Sequence, residues 1–238
     1  MSAFPPHACD RSGYSSGALS LVPISFGHAG FSAAAITPRD ALVKRAMDVV
    51  LATVGLAVMG LPMLIIAAAI QLTSKGPALF RQERIGLNGR RFVMLKFRTM
   101  HHRAADDGSF LQATRDDPRV TRVGAVLRHT SFDELPQFLN VLAGSMSLVG
   151  PRPHAPGTCA AGRPFEAITE QYAARHCVKP GMTGLAQIRG WRGETDTEEK
   201  LLRRIDADLE YIANWSPWRD LKIIWHTIVG VLRMPNAY

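Results

Sequence analysis

The segment Arg128-His129-Thr130-Ser131-Phe132-Asp133-Glu134-Leu135-Pro136 sets two carboxylates side by side. An apolar helical pattern follows at once: Leu135, Phe138, Leu139 and Leu142 recur at the i, i+3, i+4, i+7 spacing. A helix N-terminus carries partial positive charge and free N–H groups. It therefore favours an ionised carboxylate and a nearby anionic substrate group. One carboxylate, Asp133, can attack phosphorus as a covalent nucleophile. Its neighbour Glu134 can hold a divalent cation, with Asp133 as a second oxygen donor. A structural device fits the same residues, because Ser131-x-x-Glu134 has the form of a capping box. Pro136 complicates that register, since a proline that deep removes a helical hydrogen bond. The local pattern leaves both readings open.

Chemistry at phosphorus needs cations. Lys96, Arg98, Arg128, Arg152 and Lys179 supply candidates from separate segments. Arg152 lies between Pro151 and Pro153, which restrict its backbone and reduce the entropy lost on binding. Its guanidinium fork suits phosphate oxygens. In the run Arg91 to Met100, a strand period of two places Phe92, Met94, Lys96 and Arg98 on one face. A solvated basic face is the plainer reading of that pattern. No GxxxxGK[ST], GxGxxG or HExxH sequence occurs, so a Walker loop, a dinucleotide fingerprint and a zincin site have no support. The three cysteines form no CxxC, so neither a disulfide scaffold nor a cysteine zinc site is expected.

Several elements must position these groups. Ala78 to Ile85 and Arg91 to Met100 read as strands joined by the turn Gly86-Leu87-Asn88-Gly89. Residues 101–122 are polar and loop-like, and Val123 to Arg128 reads as a short helix. Gly150-Pro151-Arg152-Pro153 is a stiff turn, and Lys179 to Gly184 a second loop. A helix from Glu198 to Asn214 has Thr197 as N-cap. Ser216-Pro217 opens another, with Trp218, Leu221, Trp225, Ile228 and Leu232 as its apolar stripe. That stripe suits a membrane interface or a protein core.

Val49 to Ser74 contains no charged residue. An uncharged run of that length reads as membrane-embedded. Pro62 sits near its middle, where a kink or break is expected. Lys44 and Arg45 precede the run, and Lys75, Arg81 and Arg84 follow it. Basic residues at both ends favour two cytoplasmic ends. A re-entrant helix-break-helix satisfies that, with an ordinary kinked span as the competing reading. Residues 1–38 are rich in Ser, Gly, Ala and Pro without a period and read as a flexible tail. The chain then divides into that tail, a membrane segment over 39–75 and a catalytic domain over 76–238.

The net charge of the 238-residue chain is +8, and residues 75–130 hold 12 basic against five acidic residues. The excess follows the apolar run directly and points to anionic partners. A nucleic-acid binder would account for the charge but not for the apolar run, so no nucleic-acid partner is expected. A membrane scaffold without activity is the other competing class.

Taken together, the motifs resemble the bacterial sugar transferase family, the monotopic phosphoglycosyl transferases, over residues 44–238. The matching stretches are Lys44-Arg45-x-x-Asp48, Gly76-Pro77-Ala78-Leu79-Phe80, Gln82-x-Arg84-x-Gly86 and Lys96-Phe97-Arg98-Thr99-Met100. Asp133-Glu134-Leu135-Pro136-Gln137, Ser147 to Pro153 and Lys179-Pro180-Gly181-x-Thr183-Gly184 follow in order. The resemblance implies transfer of a phosphosugar from a UDP-sugar to undecaprenyl phosphate, with release of UMP. It implies Asp133 as nucleophile, Glu134 on Mg²⁺, and Lys96, Arg128, Arg152 and Asp208 at functional positions. Gly190 to Thr197 and the ending Asn236-Ala237-Tyr238 resemble the branch that moves glucose-1-phosphate from UDP-glucose to begin exopolysaccharides. Galactose or an N-acetylated sugar stands behind glucose. Either Arg189 or Arg192 is expected to meet the nucleotide, with Arg192 preferred. Many members of that branch carry extra N-terminal membrane helices, so the chain is expected to be a minimal catalytic unit. The fold class is α/β or α+β and membrane-associated: a re-entrant helix, a small hairpin or sheet and amphipathic interfacial helices. Its place is the cytoplasmic face of the bacterial inner membrane, among membrane lipids, and a homodimer is a further expectation.

Overall fold

The computed structural model describes residues 37–101, 117–191, 193, 195 and 197–233. The expected tail, apart from its last two residues, and Arg192 lie outside the described residues. The helices in chain order are α1 (Pro38–Thr73), α2 (Arg122–Thr130), α3 (Gln137–Leu142), α4 (Phe165–Ile168), α5 (Leu185–Ile188), α6 (Glu198–Ala213) and α7 (Pro217–Arg233). The strands are β1 (Leu79–Ile85), β2 (Arg91–Phe97), β3 (Ser147–Val149), β4 (Cys159–Ala160), β5 (Arg163–Pro164) and β6 (Gly181–Thr183). They pair as three small two-stranded sheets, β1 with β2, β3 with β6, and β4 with β5.

Helix α1 begins at Thr37, whose hydroxyl accepts from the Asp40 N–H at 3.2 Å, with Pro38 at the first helical position. Its 36 residues would extend about 54 Å if straight. Of the kink or break expected at Pro62, a full break is not seen: one helix runs from Pro38 to Thr73 with the proline inside it. The ring deletes one backbone hydrogen bond, and the apolar side chains on either side keep the helix favourable. Val50, Val54, Val58, Leu61, Leu64, Ile65 and Leu72 are exposed on it. The helix is long and apolar enough to cross a membrane, and little of it is buried within the protein.

Both ends of α1 are held by the globular part. At its start, Lys44 Nζ meets Asp220 Oδ2 of α7 at 2.7 Å. Arg45 donates to the carbonyls of Val141 and Leu142 at 2.6 and 2.8 Å. Asp48 Oδ1 accepts from Ser147 Oγ and Leu148 N, both at 3.0 Å. At its end, Arg98 donates to the carbonyls of Lys75 and Ser74 at 2.7 and 2.9 Å and to Ser74 Oγ at 2.9 Å. These bonds hold the backbone just past the last helical residue, Thr73. Between the two clamps, Gly55 lies on Phe138 of α3 so closely that a β-carbon would sit 2.8 Å from the ring.

The β1–β2 hairpin pairs antiparallel from Leu79 opposite Phe97 to Ile85 opposite Arg91. Its turn uses Asn88 and Gly89, both with positive φ (54° and 72°). The second strand ends at Phe97, and Met100 makes an isolated bridge to Val120 instead of prolonging it. The outer edge of β2 is covered by one side chain. Asn140 of α3 accepts from Leu95 N at 2.9 Å and donates to Val93 O at 2.7 Å, standing in for a neighbouring strand. β3 and β6 pair parallel. Gly150 and Gly181 continue their contact, where a β-carbon on Gly181 would fall 2.1 Å from Gly150 N. Only glycine allows that backbone approach.

The main core gathers Val141, Met146, Val149, Leu201, Ile205, Tyr211, Ile212 and Ile223, and α1 contributes Ala52. A second cluster joins Ile70 of α1 to Ala78, Phe97 and Leu127. Thr197 caps α6 as expected, accepting from Lys200 N at 3.3 Å. Ser216 accepts from Arg219 N at 3.2 Å ahead of Pro217. The Trp218, Leu221, Trp225, Ile228 stripe of α7 faces outward, and Ile223 enters the core. Core packing is therefore not the use of that stripe.

Replacing Asn140 by Leu removes both bonds to β2 and leaves two backbone groups unpaired. The expected loss is about 2–4 kcal/mol, read as a lower unfolding midpoint of the detergent-solubilised full chain.

Candidate active site

Asp133 and Glu134 occupy a 3₁₀ turn, Phe132–Glu134, between α2 and α3. Ser131 ends α2 in the left-handed region (φ 61°), an uncommon conformation for a residue with a β-carbon. It makes no side-chain bond to the following turn. The capping-box reading is thus corrected: the Glu134 N–H bonds the Ser131 carbonyl at 3.2 Å, and the Glu134 carboxylate is used elsewhere. Pro136 precedes α3 instead of interrupting it.

The Glu134 carboxylate is held by two cations. Its Oε1 accepts from Lys96 Nζ of β2 at 2.7 Å and from Arg152 Nη2 at 2.6 Å. Its Oε2 accepts from Arg152 Nη1 at 3.2 Å, completing a fork. Burial works to raise its pKa, but Arg152 and Lys96 together outweigh it and hold the carboxyl well below the usual range. Asp133 is 8% exposed, and its Oδ2 lies 3.7 Å from Lys96 Nζ, an ion pair without a hydrogen bond. Burial pushes its pKa up to about 6, against the opposing pull of Lys96 and with the Glu134 charge adding to the rise. Arg152 and Arg128, the latter in the last turn of α2, also favour its charged form. Adjacent carboxylates thus differ in kind. Glu134 is a pinned anion, and Asp133 is a more basic carboxylate, still ionised at neutral pH, with no hydrogen bond to it among the described residues.

Arg152 is positioned from behind. Arg175, 1% exposed, donates to the Arg152 carbonyl at 2.7 Å. The same guanidinium holds Asp208 Oδ2 of α6 through Nε at 3.0 Å and Nη2 at 2.6 Å, and meets His154 Nδ1 at 2.7 Å. Burial and the charges of Arg175 and Arg204 keep His154 neutral, so its Nδ1 can accept. Asp208, expected at a functional position, is buried and neutralises the arginine that holds the Arg152 turn. Arg84 of β1 stands on the hairpin face that carries Lys96. It donates to Pro153 O at 3.4 Å and to Gln82 Oε1. Burial and repulsion from Arg152 lower its pKa to about 10, so it keeps its charge.

The structure thus brings Lys96, Arg128, Asp133, Glu134 and Arg152 together. Two expected phosphate ligands lie elsewhere. Arg98, beyond the end of β2, clamps the end of α1, because three oxygens there match its guanidinium. Lys179 stands near Arg45 and Asp48 instead. Arg189 is in an exposed ion pair with Glu210, which also binds Arg219 at 2.6 Å. Asn140, Arg175 and Arg84 are the residues that site reasoning missed. Only Arg84 had a signal, its shared strand face with Lys96.

Two carboxylates on adjacent residues suit a magnesium ion, which takes one or two protein carboxylates and completes its shell with water and substrate phosphate. Among the described residues no group of three or more potential ligands occurs.

Residues 39–234 match the bacterial sugar transferase family. The chain belongs to that family. It is 54% identical over 197 residues to a UDP-glucose:undecaprenyl-phosphate glucose-1-phosphate transferase of Caulobacter vibrioides, covering 83% of this chain and 72% of that one. It is 52% identical over 187 residues to the Escherichia coli K12 protein of the same name, covering 79% of this chain but 39% of that one. An exopolysaccharide production protein, PSS, of Rhizobium leguminosarum bv. phaseoli is 46% identical over 199 residues, 84% of this chain and the whole of that one. The chain thus spans well under half of the E. coli sugar transferase and the full length of the Rhizobium one.

In this sugar transferase, Asp208→Asn leaves the buried Arg175 charge without its counter-ion. The expected cost is about 3–5 kcal/mol, measured as a shift in the chain's unfolding midpoint. A substrate contact at Asp208 would instead predict unchanged stability.

Proposed function

We propose that the chain transfers glucose-1-phosphate from UDP-glucose to undecaprenyl phosphate and releases UMP. The observation that carries the reading is the unequal carboxylate pair beside an apolar helix: Glu134 pinned by Lys96 and Arg152, Asp133 buried and more basic. In the first step an Asp133 carboxylate oxygen attacks the glucose-bearing phosphorus. The bond from that phosphorus to the UMP oxygen breaks, and UMP leaves with the electron pair. In the second step a phosphate oxygen of undecaprenyl phosphate attacks the same phosphorus. The acyl-phosphate bond breaks, returning the Asp133 carboxylate and leaving a diphosphate-linked glucose lipid. Lys96, Arg128 and Arg152 supply the positive field in which phosphate charge is redistributed. Glu134 holds Arg152 and Lys96 against Asp133. Magnesium, when held by Glu134 and Asp133 with the diphosphate, supplies charge neutralisation on the leaving group.

The membrane reading is re-entrant, at the cytoplasmic face of the inner membrane. It is supported by the two clamps: Lys44 at the start of α1 and Ser74 at its end both bond to the same globular part. A helix crossing the bilayer would carry one of those ends to the far side. Phe132, next to Asp133, and Leu139 are exposed, as is the α7 tryptophan stripe, which suits a reaction on a lipid-borne acceptor. Glucose is favoured by the printed names of the Caulobacter and E. coli relatives.

UMP release from UDP-glucose, UDP-galactose and an N-acetylated UDP-sugar, with undecaprenyl phosphate and Mg²⁺, tests the reading. UDP-glucose is expected to be turned over fastest, and chelation of Mg²⁺ to stop the reaction. Asp133→Asn should lose activity by at least about 10³-fold. Without acceptor, intact-mass measurement should find one glucose phosphate on the wild type and none on Asp133→Asn. Undiminished turnover in that variant would remove Asp133 as nucleophile. Preference for another sugar would overturn the glucose assignment alone. A green fluorescent protein joined to the N-terminus should fluoresce, since that end is cytoplasmic in the re-entrant arrangement.

A further inference from the structure

Lys179 is set apart from the catalytic pair but is not an ordinary surface lysine. It is half-buried, and its Nζ lies 3.7 Å from the point a β-carbon would occupy on Gly144. Arg45 Nη2 lies 3.6 Å from the same point. Gly144 follows α3 with φ of 83°, so no side chain fills the space between the two cations. The guanidinium of Arg45 is oriented by the carbonyls of Val141 and Leu142, which fix its position without neutralising it. Lys44 beside it is matched by Asp220 and, at 3.9 Å, by Asp48. Lys179 has no hydrogen-bond acceptor or ion-pair partner among the described residues. Burial lowers the pKa of its ammonium, Arg45 and Lys44 lower it further, and Asp48 opposes them. Three cations here face two carboxylates, and one positive charge is left over.

The location indicates which anion would supply the balance. Exposed apolar side chains of α1 flank this point, Leu42 and Val43 just before Arg45 and Val49 and Val50 one turn beyond it. The Lys44–Asp220 pair ties this point to α7, whose Trp218 and Trp225 are 79% and 65% exposed. The two cations therefore stand where apolar outward surface gives way to polar core, the level of lipid headgroups.

We propose that Arg45 and Lys179, converging over Gly144, bind the phosphate of an anionic membrane phospholipid. This rests on the reading of α1 as membrane-embedded. The bound headgroup also braces the active site. The Lys179 carbonyl is the surface on which Gly150 lies, 2.5 Å from a β-carbon placed there, and Gly181 N bonds Pro151 O at 2.9 Å. The segment that contacts the lipid is thus the shelf under the Arg152 turn.

The test uses the full chain in nanodiscs of phosphatidylglycerol and phosphatidylcholine in equal parts, with lipid retention read by native mass spectrometry. Wild type should retain phosphatidylglycerol in preference. Lys179→Gln should lower that retention about fivefold, the effect of one basic residue near an anionic surface, and Lys179→Arg should keep it. Arg91→Gln, in the exposed pair with Glu83, should leave it unchanged. Asp133→Asn should also hold the lipid, so the result stands apart from the transferase reading. Equal retention by wild type and Lys179→Gln would overturn the proposal. So would displacement of the lipid by millimolar inorganic phosphate, which would make this a free-phosphate site. A raised KM for undecaprenyl phosphate in Lys179→Gln, with phosphatidylglycerol retention unchanged, would assign the pair to the acceptor and overturn it as well.

Discussion

A carboxylate withdrawn from water must be given compensating charge, and Glu134 shows how much of a fold that requirement can organise. Taking an ion out of water costs several kcal/mol unless good partners replace the hydration. Here the partners are Lys96 from the hairpin and Arg152 from the turn after β3. Neither is near Glu134 in sequence, so hairpin, α3 and the β3–β6 pair must all be in register before the charge is satisfied. Asn140 fixes α3 to the edge of β2, and Arg175 fixes the Arg152 turn to α6. Each is itself a buried polar group with named partners.

The same arrangement separates the chemistry of two adjacent carboxylates. Glu134 receives three charge-assisted hydrogen bonds and stays ionised. Asp133, one residue earlier, receives the field of Lys96 without its hydrogen bond, and burial dominates. A difference of one residue thus becomes a division between a pinned anion and a more basic carboxylate. The left-handed Ser131 accompanies this division: it reverses the chain after α2 and begins the 3₁₀ turn that carries the two side chains. This membrane-associated sugar transferase adds a second demand, since its apolar helix must stay attached to a polar domain. Ion pairs and carbonyl bonds do that at the two ends of α1, and Ala52, Gly55 and Ile70 do it by packing between them.

Much of this was readable beforehand wherever the determinant was local. The hairpin followed from alternation and the Gly86-Leu87-Asn88-Gly89 turn, the two C-terminal helices from Thr197 and Ser216-Pro217, and the long apolar helix from its lack of charge. Asp133 and Glu134 were picked out by adjacency, and Lys96, Arg128 and Arg152 by type and setting. Readings of single side chains were less durable. Arg98 shares a strand period with Lys96, yet it lies past the last ladder residue, where the end of α1 offers three oxygens. Lys179 has the right chemistry for phosphate but different neighbours, and the Asp208 carboxylate is matched to Arg175. Asn140 and Arg175 drew no notice because an asparagine in a short helix and an arginine in a polar stretch are ordinary in isolation.

Periodicity, caps, turn residues and an uncharged run are properties of adjacent residues, so the sequence by itself determined the hairpin, the long helices and the adjacency of the two carboxylates. The loop expected over Lys179 to Gly184 instead holds strand β6, because its pairing with β3 is long-range. The partner of a charged side chain is a property of three-dimensional neighbours separated by tens of residues. Tertiary structure alone therefore decided that Arg152 and Lys96 share Glu134, that Asp208 serves Arg175, and that Arg98 closes α1. The physical reason is that charge satisfaction is settled by distance and desolvation, and both arise only when the chain is packed.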